Sequence, residues 1–582
     1  MAFFPVAISL LVSFESSIMM LGLPAEGYIY GIQYFWSAFG FFTATFISMF
    51  VMVPLIHPLR ITSAYEYLEL RFQSRVVRLW GTVLGMLNYI WYMGIVLFGP
   101  AVALEAVTDF PMLASILVIS LVSVIYTSIG GLKAVIWTDV FQAVVMTMGI
   151  LAILIKGTME AGGPSEVWRK ADEGGRLNFF IFDTDIRIRH TFWGLYVATS
   201  IRGFGLVFNQ STIQRISSTK TLAEAKRVLG IVAPFFTITL SLAVYEGIVA
   251  YAYYETKGCD PFESKDLTNP NQIVPYTVMD IFTGLPGMPG LFLAALFSAS
   301  LSTLSSGLSS NSALLWTDII KPLAGDISEL KATMIAKISV VIFGVLACGV
   351  AVIVSLIDGP LTQIAGSLLS GFQAPLTGIF FIGCFCPRVK ASSAMVGGIV
   401  GSALTTWVAM GMNFNKNVVK TPWLPPASIT NCPVDSSNSS DVFVNVTTSQ
   451  LMTLISSTTA EPTSSGPEGI EQIYGISYLW LSPIGIFGTM IVAMIASVFL
   501  GQNKPGDVDP RYLIPVSKFL FFLPASVREK ISSIGPQFIK DEYKERFEDP
   551  AKKHWLKDTE METVVSQHTD EKLLDNGDNV DS

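Results

Sequence analysis

Glu15 lies inside an apolar run, in Ser9-Leu10-Leu11-Val12-Ser13-Phe14-Glu15-Ser16-Ser17, and Gly22, Pro24 and Gly27 follow it. A carboxylate in mid-membrane is costly, so it is expected to be paired, protonated or ligating a cation. The plainer reading, a shallow position in contact with water, stays open. Small hydroxyl residues ahead of helix breakers also mark a helix that unwinds at mid-depth. Unwound backbone is tolerated there only where it lines a cavity or is buried in protein. Carbonyls freed in this way can coordinate Na⁺.

A matching element comes later. Arg202-Gly203-Phe204-Gly205 interrupts another apolar run, and Asn209-Gln210 follows. Two broken helices at corresponding places in two halves are the pattern of inverted-repeat carriers, whose site lies at the repeat interface. Arg202 can pair with Glu15 or bind a solute carboxylate through its planar fork. Pairing neutralises both charges and is the favoured reading.

Ser298 to Ser310 carries a dense series of hydroxyls. Most serve helix packing. Two adjacent ones facing unwound carbonyls would suit a hard cation, and Ser302 and Thr303 are the chosen pair. In Gly130-Gly-Leu-Lys133-Ala-Val-Ile-Trp137-Thr138-Asp139-Val-Phe-Gln142, Asp139 is expected at or just inside the cytoplasmic boundary. There it either complements a helix N-terminus or draws Na⁺ along the inner exit path. Glu246 is a further acid in an apolar run, without an assigned role.

These residues need long helices to position them. The chain of 582 residues is 51% hydrophobic and 14% charged, with a mean hydropathy of +0.53; soluble chains carry about 25% charged residues. Apolar runs of about 20 residues match the thickness of a bilayer. Twelve are expected, at about 3–23, 31–56, 78–104, 112–129, 136–156, 190–211, 229–253, 277–308, 333–357, 363–386, 393–412 and 478–500. The two breaks then open two five-helix units. The first apolar run lacks a basic lead and a cleavage site, so an intact signal-anchor helix is expected.

Lys and Arg concentrate in alternate connections: Arg60, Arg71, Arg75 and Arg78; Lys133; Arg215, Lys220, Lys226 and Arg227; Lys321 and Lys331; Arg388 and Lys390. By the positive-inside rule these face the cytoplasm, which places both termini there. The opposite side receives the Ser- and Thr-rich loop 413–477, with glycosylation sequons at Asn438 and Asn445. Cys259 and Cys432 fall on that oxidising side and are expected to form a disulfide. Cys348, Cys384 and Cys386 read as core residues.

The resulting division is 1–157 for the first five-helix repeat, 158–189 for an outer loop and 190–387 for the second repeat. Two further transmembrane helices occupy 388–500, and 501–582 forms a cytoplasmic tail that binds trafficking or regulatory proteins at most. Half of the net charge of −8 sits in that tail. No basic patch suits nucleic acid, and no nucleophile–base or metal constellation suits an enzyme.

Thr62-Ser-Ala-Tyr-Glu-Tyr-Leu-Glu-Leu-Arg71-Phe72 resembles the segment that follows the second core helix in the sodium:solute symporter family. Gly130 to Gln142, Asn209 to Arg215, Gly258-Cys-Asp-Pro261 and Gly371-Phe-Gln-Ala-Pro375 resemble further motifs of that family, in order over about residues 1–510. The resemblance is greatest to the branch of monocarboxylate, multivitamin and iodide transporters, and within it to invertebrate monocarboxylate-type members. It implies an all-α polytopic membrane protein with a LeuT-type 5+5 inverted repeat and about two additional C-terminal helices.

Carried over by position, the resemblance implies a sodium site built from the carbonyls of Val12, Glu15 and Ala299 and the hydroxyls of Ser302 and Thr303. Asp139 supports that site, and Ser13 and Gln142 match further sodium-linked positions. Phe14 and Met19 stand where sugar carriers place polar residues, which disfavours a sugar. The expected solute contacts are Phe14, Met19, Arg202 and Phe204. Family members usually carry one more helix ahead of the first core helix, so a preceding helix is expected to be missing here. Glu15 and Arg202 stand at positions that are usually uncharged.

The combined expectation is a plasma-membrane symporter that couples Na⁺, its co-transported ion and sole cofactor, to import of a small organic anion such as a monocarboxylate. A multivitamin or iodide carrier, and a sodium-gated sensor or channel, are the alternatives.

Overall fold

The computed structural model describes residues 2–108, 110–325, 327–415, 421–432, 469, 471–504 and 507–514. Asn438, Asn445, most of the 413–477 loop and the tail after residue 514 lie outside the described residues. Among the described residues the regular structure is helical throughout.

Among the described residues ten helices are long and apolar enough to cross a membrane: Ile32–Leu59, Arg75–Thr108, Met112–Ile129, Val135–Glu160, Leu222–Lys257, Met288–Ala324, Glu329–Val354, Leu361–Phe385, Ala391–Phe414 and Tyr478–Leu500. An eleventh span is a pair, Phe3–Phe14 and Ile18–Tyr30, bent by 51°. Met112–Ile129 and Val135–Glu160 fold back on each other, because Tyr126 and Thr138 touch through their hydroxyls. A straight helix would hold residues so spaced about 18 Å apart.

Two expected boundaries change. The run expected at 277–308 is divided: Ile273–Ile281 is a short separate helix, and the spanning helix begins at Met288. Gly284 and Gly287 turn the chain between them at φ of 86° and 93°, a region that glycine enters without strain. The sixth expected span is helical over Trp193–Val207 and again over Gln210–Ser217, with extended backbone at Asn209 between them. The break therefore lies at Phe208–Asn209 and not at Gly203 and Gly205. Those two glycines remain helical and give close approach instead. A Cβ at Gly203 would press on Ala44 and Phe41, and one at Gly205 on Gln373 and Thr377.

Exposed Phe46, Phe50, Leu121, Val345, Ile491 and Val498 form an apolar outer surface, as lipid contact requires. Inside, small residues bring helices together. Gly27 and Gly247 face each other, and a Cβ on either would overlap the opposite backbone.

The connections sort into two ends. At one, Arg60 donates to the carbonyls of Ser217, Thr219 and Lys220. Arg71 donates to those of Gly383 and Cys386, and Arg78 pairs with Asp318. At the other end Tyr28 donates to Asp260, Arg176 reaches Tyr28 and Pro425, and Cys259 is bonded to Cys432 with Cα atoms 4.7 Å apart. The arginine-rich connections thus share one end and the disulfide marks the other.

Candidate functional site

The first helix stops at Phe14, and Glu15 turns extended at φ −82°, ψ 103°. The chain re-enters helix through a π-helical turn at Ile18–Gly22. A helix end leaves its last carbonyls without intrahelical partners, so the break presents the Val12–Glu15 backbone as acceptors. Phe3–Phe14 packs against the Met288–Leu314 helix, which carries Ala299, Ser302 and Thr303, all fully buried. The Thr303 hydroxyl, beside the Tyr92 phenol, makes no hydrogen bond of good geometry, and neither does Gln142 Oε1. A buried polar atom left without a partner costs about 1–3 kcal/mol, so both are open to a ligand.

Beside these lies a closed polar network. Ser302 Oγ donates to Asp139 Oδ1 at 2.7 Å, and Ser9 Oγ donates to Oδ2. Arg215 Nη2 sits 3.4 Å from Oδ2. The same guanidinium donates to Ser9 at 2.9 Å, Ser13 at 2.8 Å and Ser306 at 2.7 Å. Asp139 has no exposed surface and Arg215 is 1% exposed. Asp139 is therefore more than a simple helix-terminal charge, and Arg215 is buried rather than displayed at the surface. Each neutralises the other in the core, which is what a buried charge requires.

A cavity of about 190 Å³ adjoins the break. Ser13, Phe14, Ser16 and Met19 line it from the first broken helix, Arg202, Leu206 and Asn209 from the second. Phe236 and Leu240 close one wall, and Asn88, Gln373 and Tyr92 add polar atoms. Ser13 belongs both to this cavity and to the Asp139 network.

Arg202 is half-buried, lines the cavity and lies near the phenols of Tyr34 and Tyr92. Gly366 leaves it room, since a Cβ there would stand 3.5 Å from Nη1. Among the described residues no carboxylate pairs with it. The expected Glu15–Arg202 pair is absent. Glu15 is 4% exposed and its side chain turns toward Thr239 on Leu222–Lys257, away from the cavity, with Oε1 unpartnered. The two side chains leave their breaks in different directions. Phe204 also departs from expectation: it does not line the cavity, and its ring packs 5.8 Å from that of Phe381.

Asn88 and Gln373 were not singled out from sequence. Asn88 donates to Gln373 at 3.1 Å, and Gln373 donates to the carbonyl of Gly205. A lone amide in the apolar 78–104 run was the available signal. Glu246 is buried with one oxygen unpartnered.

The sodium:solute symporter family matches residues 1–401. The chain is 37% identical over 533 residues to the sodium-dependent multivitamin transporter of Oryctolagus cuniculus, covering 90% of this chain and 80% of that one. It is 36% identical over 524 residues to sodium-coupled monocarboxylate transporter 2 of Mus musculus, covering 90% and 81%. It is 37% identical over 522 residues to sodium-coupled monocarboxylate transporter 1 of Homo sapiens, covering 89% and 83%. A solved structure of a Na⁺-coupled sialic acid symporter, substrate-bound and outward-open, superposes with a TM-score of 0.65 at 24% identity, covering 87% of this chain and 91% of that one. The fold is accordingly of the LeuT type. With two broken helices facing one cavity and relatives matched across nine-tenths of its length, the chain belongs to the sodium:solute symporter family, a transporter and not an enzyme, with Na⁺ as its co-transported ion.

Proposed function

We propose that this chain imports a small monocarboxylate together with Na⁺. The observation that carries the reading is Arg202, a guanidinium with no carboxylate partner among the described residues, on the wall of a largely apolar cavity. A planar fork of donors suits a carboxylate, and Phe14, Met19, Leu206, Phe236 and Leu240 suit a short apolar tail. Lactate, pyruvate and butyrate each combine one carboxylate with a short apolar tail, the combination that this lining offers.

For Na⁺ we assign the carbonyls of Val12, Glu15 and Ala299 and the hydroxyls of Ser302 and Thr303. The Ser302 proton is engaged by Asp139, which leaves the hydroxyl lone pairs for a cation. Asp139 and Arg215 then hold that hydroxyl in place, and Gln142 and Ser13 flank it. The reading places the protein in the plasma membrane with the disulfide end outward, Asn438 and Asn445 glycosylated, and both termini and any tail-binding proteins in the cytoplasm.

The test is expression in oocytes with tracer uptake and current measured for lactate, butyrate, iodide and biotin, with and without Na⁺. Uptake of lactate and butyrate that requires Na⁺ is expected. Biotin uptake exceeding theirs would overturn the solute assignment, and current without accumulation would make the chain a sensor or channel.

A further inference from the structure

A second buried charge cluster stands toward the disulfide-bearing end of the cavity. Glu26 has no exposed surface. Arg189 donates to both of its oxygens, through Nε to Oε2 at 3.1 Å and through Nη2 to Oε1. Thr362 also donates to Oε1, and Arg189 Nη1 donates to Gln363. The guanidinium lies 4.6 Å from the ring centroid of Tyr30 and 5.0 Å from that of Tyr478. His190 meets Tyr30 and Tyr34 edge-on at 5.4 and 5.5 Å.

This cluster joins three elements: Leu23–Tyr30 of the first broken helix, the segment leading into the second, and the start of Leu361–Phe385. It also divides space. Thr362 and Tyr34 line the central cavity, whereas Arg189, Gln363 and Tyr478 line a separate cavity of about 50 Å³ that reaches exposed Arg187. The ion pair and its aromatic collar form the wall between the two.

We propose that the Glu26–Arg189 pair is the gate on the disulfide-bearing side, and that solute reaches the central cavity only when the pair parts. An ion pair can exchange its partners for water as the two broken helices move apart, because each charged group is well solvated once exposed. The gate rests on reading the central cavity as the solute site, but its test uses no solute.

The test introduces Ala365→Cys, on the central cavity, and measures its labelling by a membrane-impermeant thiol reagent added outside the cell. The native Cys348, Cys384 and Cys386 are corrected for with the chain lacking that substitution. Adding Glu26→Gln is expected to raise the labelling rate about tenfold, and adding Gln363→Ala, which removes an uncharged arm, by a smaller factor. Labelling of both variants at the rate of Ala365→Cys alone, at matched surface protein, would overturn the gate. Should Glu26→Gln fail to reach the surface, Gln363→Ala decides alone. A negative result leaves the uptake experiment standing, and failed uptake leaves the labelling result standing.

Discussion

Arg202 and Arg215 stand thirteen residues apart on the same broken element, and their surroundings are opposite. Arg215 is enclosed and meets one carboxylate and three hydroxyls. Arg202 is half-buried on a cavity wall with no carboxylate beside it among the described residues. The extended residue Asn209 between them changes the direction of the chain, so one side chain faces the cavity and the other the helix junction. A guanidinium that the protein has already satisfied holds structure together. One left unsatisfied at a cavity is available for a ligand.

The strongest way to break this contrast is to strip Arg215 of its partner. Asp139→Ala leaves a buried guanidinium without a countercharge, a loss of about 3–5 kcal/mol. The expected outcome is a large fall in monodisperse protein after detergent extraction, read by fluorescence-detected size exclusion. Wild-type yield and thermal stability would show that Arg215 is not held as described.

Next in size is Arg202→Gln. A hydrogen bond to a charged group contributes about 1.5–3 kcal/mol, so the half-saturating monocarboxylate concentration should rise about tenfold to a hundredfold. Extraction yield should not change. A fall in yield with unchanged affinity would reverse the roles given to the two arginines.

The two arginines also show how much sequence can reveal. The transmembrane architecture was legible because bilayer thickness fixes the length of an apolar run, and the break at Glu15 because hydroxyls and breakers crowd around it. The second break was displaced because Gly203 and Gly205 were read as breakers. Helices in membranes keep such glycines for close packing, here against Ala44 and Gln373. Arg215 was read as a cytoplasmic marker because it neighbours Lys220, Lys226 and Arg227 in sequence, and its burial depends on Asp139 and Ser306 from distant helices. Phe204 was misplaced for a related reason: a helix face cannot be assigned without its neighbours. Cys259 and Cys432, far apart in sequence, were linked by their common side of the membrane.

A smaller effect should separate Thr303 from the Asp139 network. The Thr303 hydroxyl makes no hydrogen bond of good geometry and has the Tyr92 phenol beside it, so Thr303→Ala leaves the Asp139 network intact. Its expected consequence is a severalfold rise in the Na⁺ concentration for half-maximal uptake, as loss of one neutral ligand of about 1 kcal/mol implies. Ser302→Ala should raise the same concentration and also lower stability, because Asp139 loses a donor. Equal sodium dependence in wild type and Thr303→Ala would remove Thr303 from the site.

The smallest effect belongs to Glu15, and it is the sharpest check on Arg202. Were the two paired across the cavity, removing one charge would strand the other, and Glu15→Gln with Arg202→Gln would partly restore what either loses. The geometry argues otherwise: Glu15 turns toward Thr239 while Arg202 faces Tyr34 and Tyr92. Gln matches Glu in shape and leaves the Glu15 carbonyl in place, so Glu15→Gln should change solute affinity by less than about 0.5 kcal/mol, the range within which sites that share no partner act independently. The double variant should then equal the sum of the singles within about 0.5 kcal/mol. Measured solute half-saturation in all four chains decides the matter. A restored double variant would mean that the two side chains meet during the cycle, and Arg202 would then join Arg215 as a charge the protein satisfies for itself.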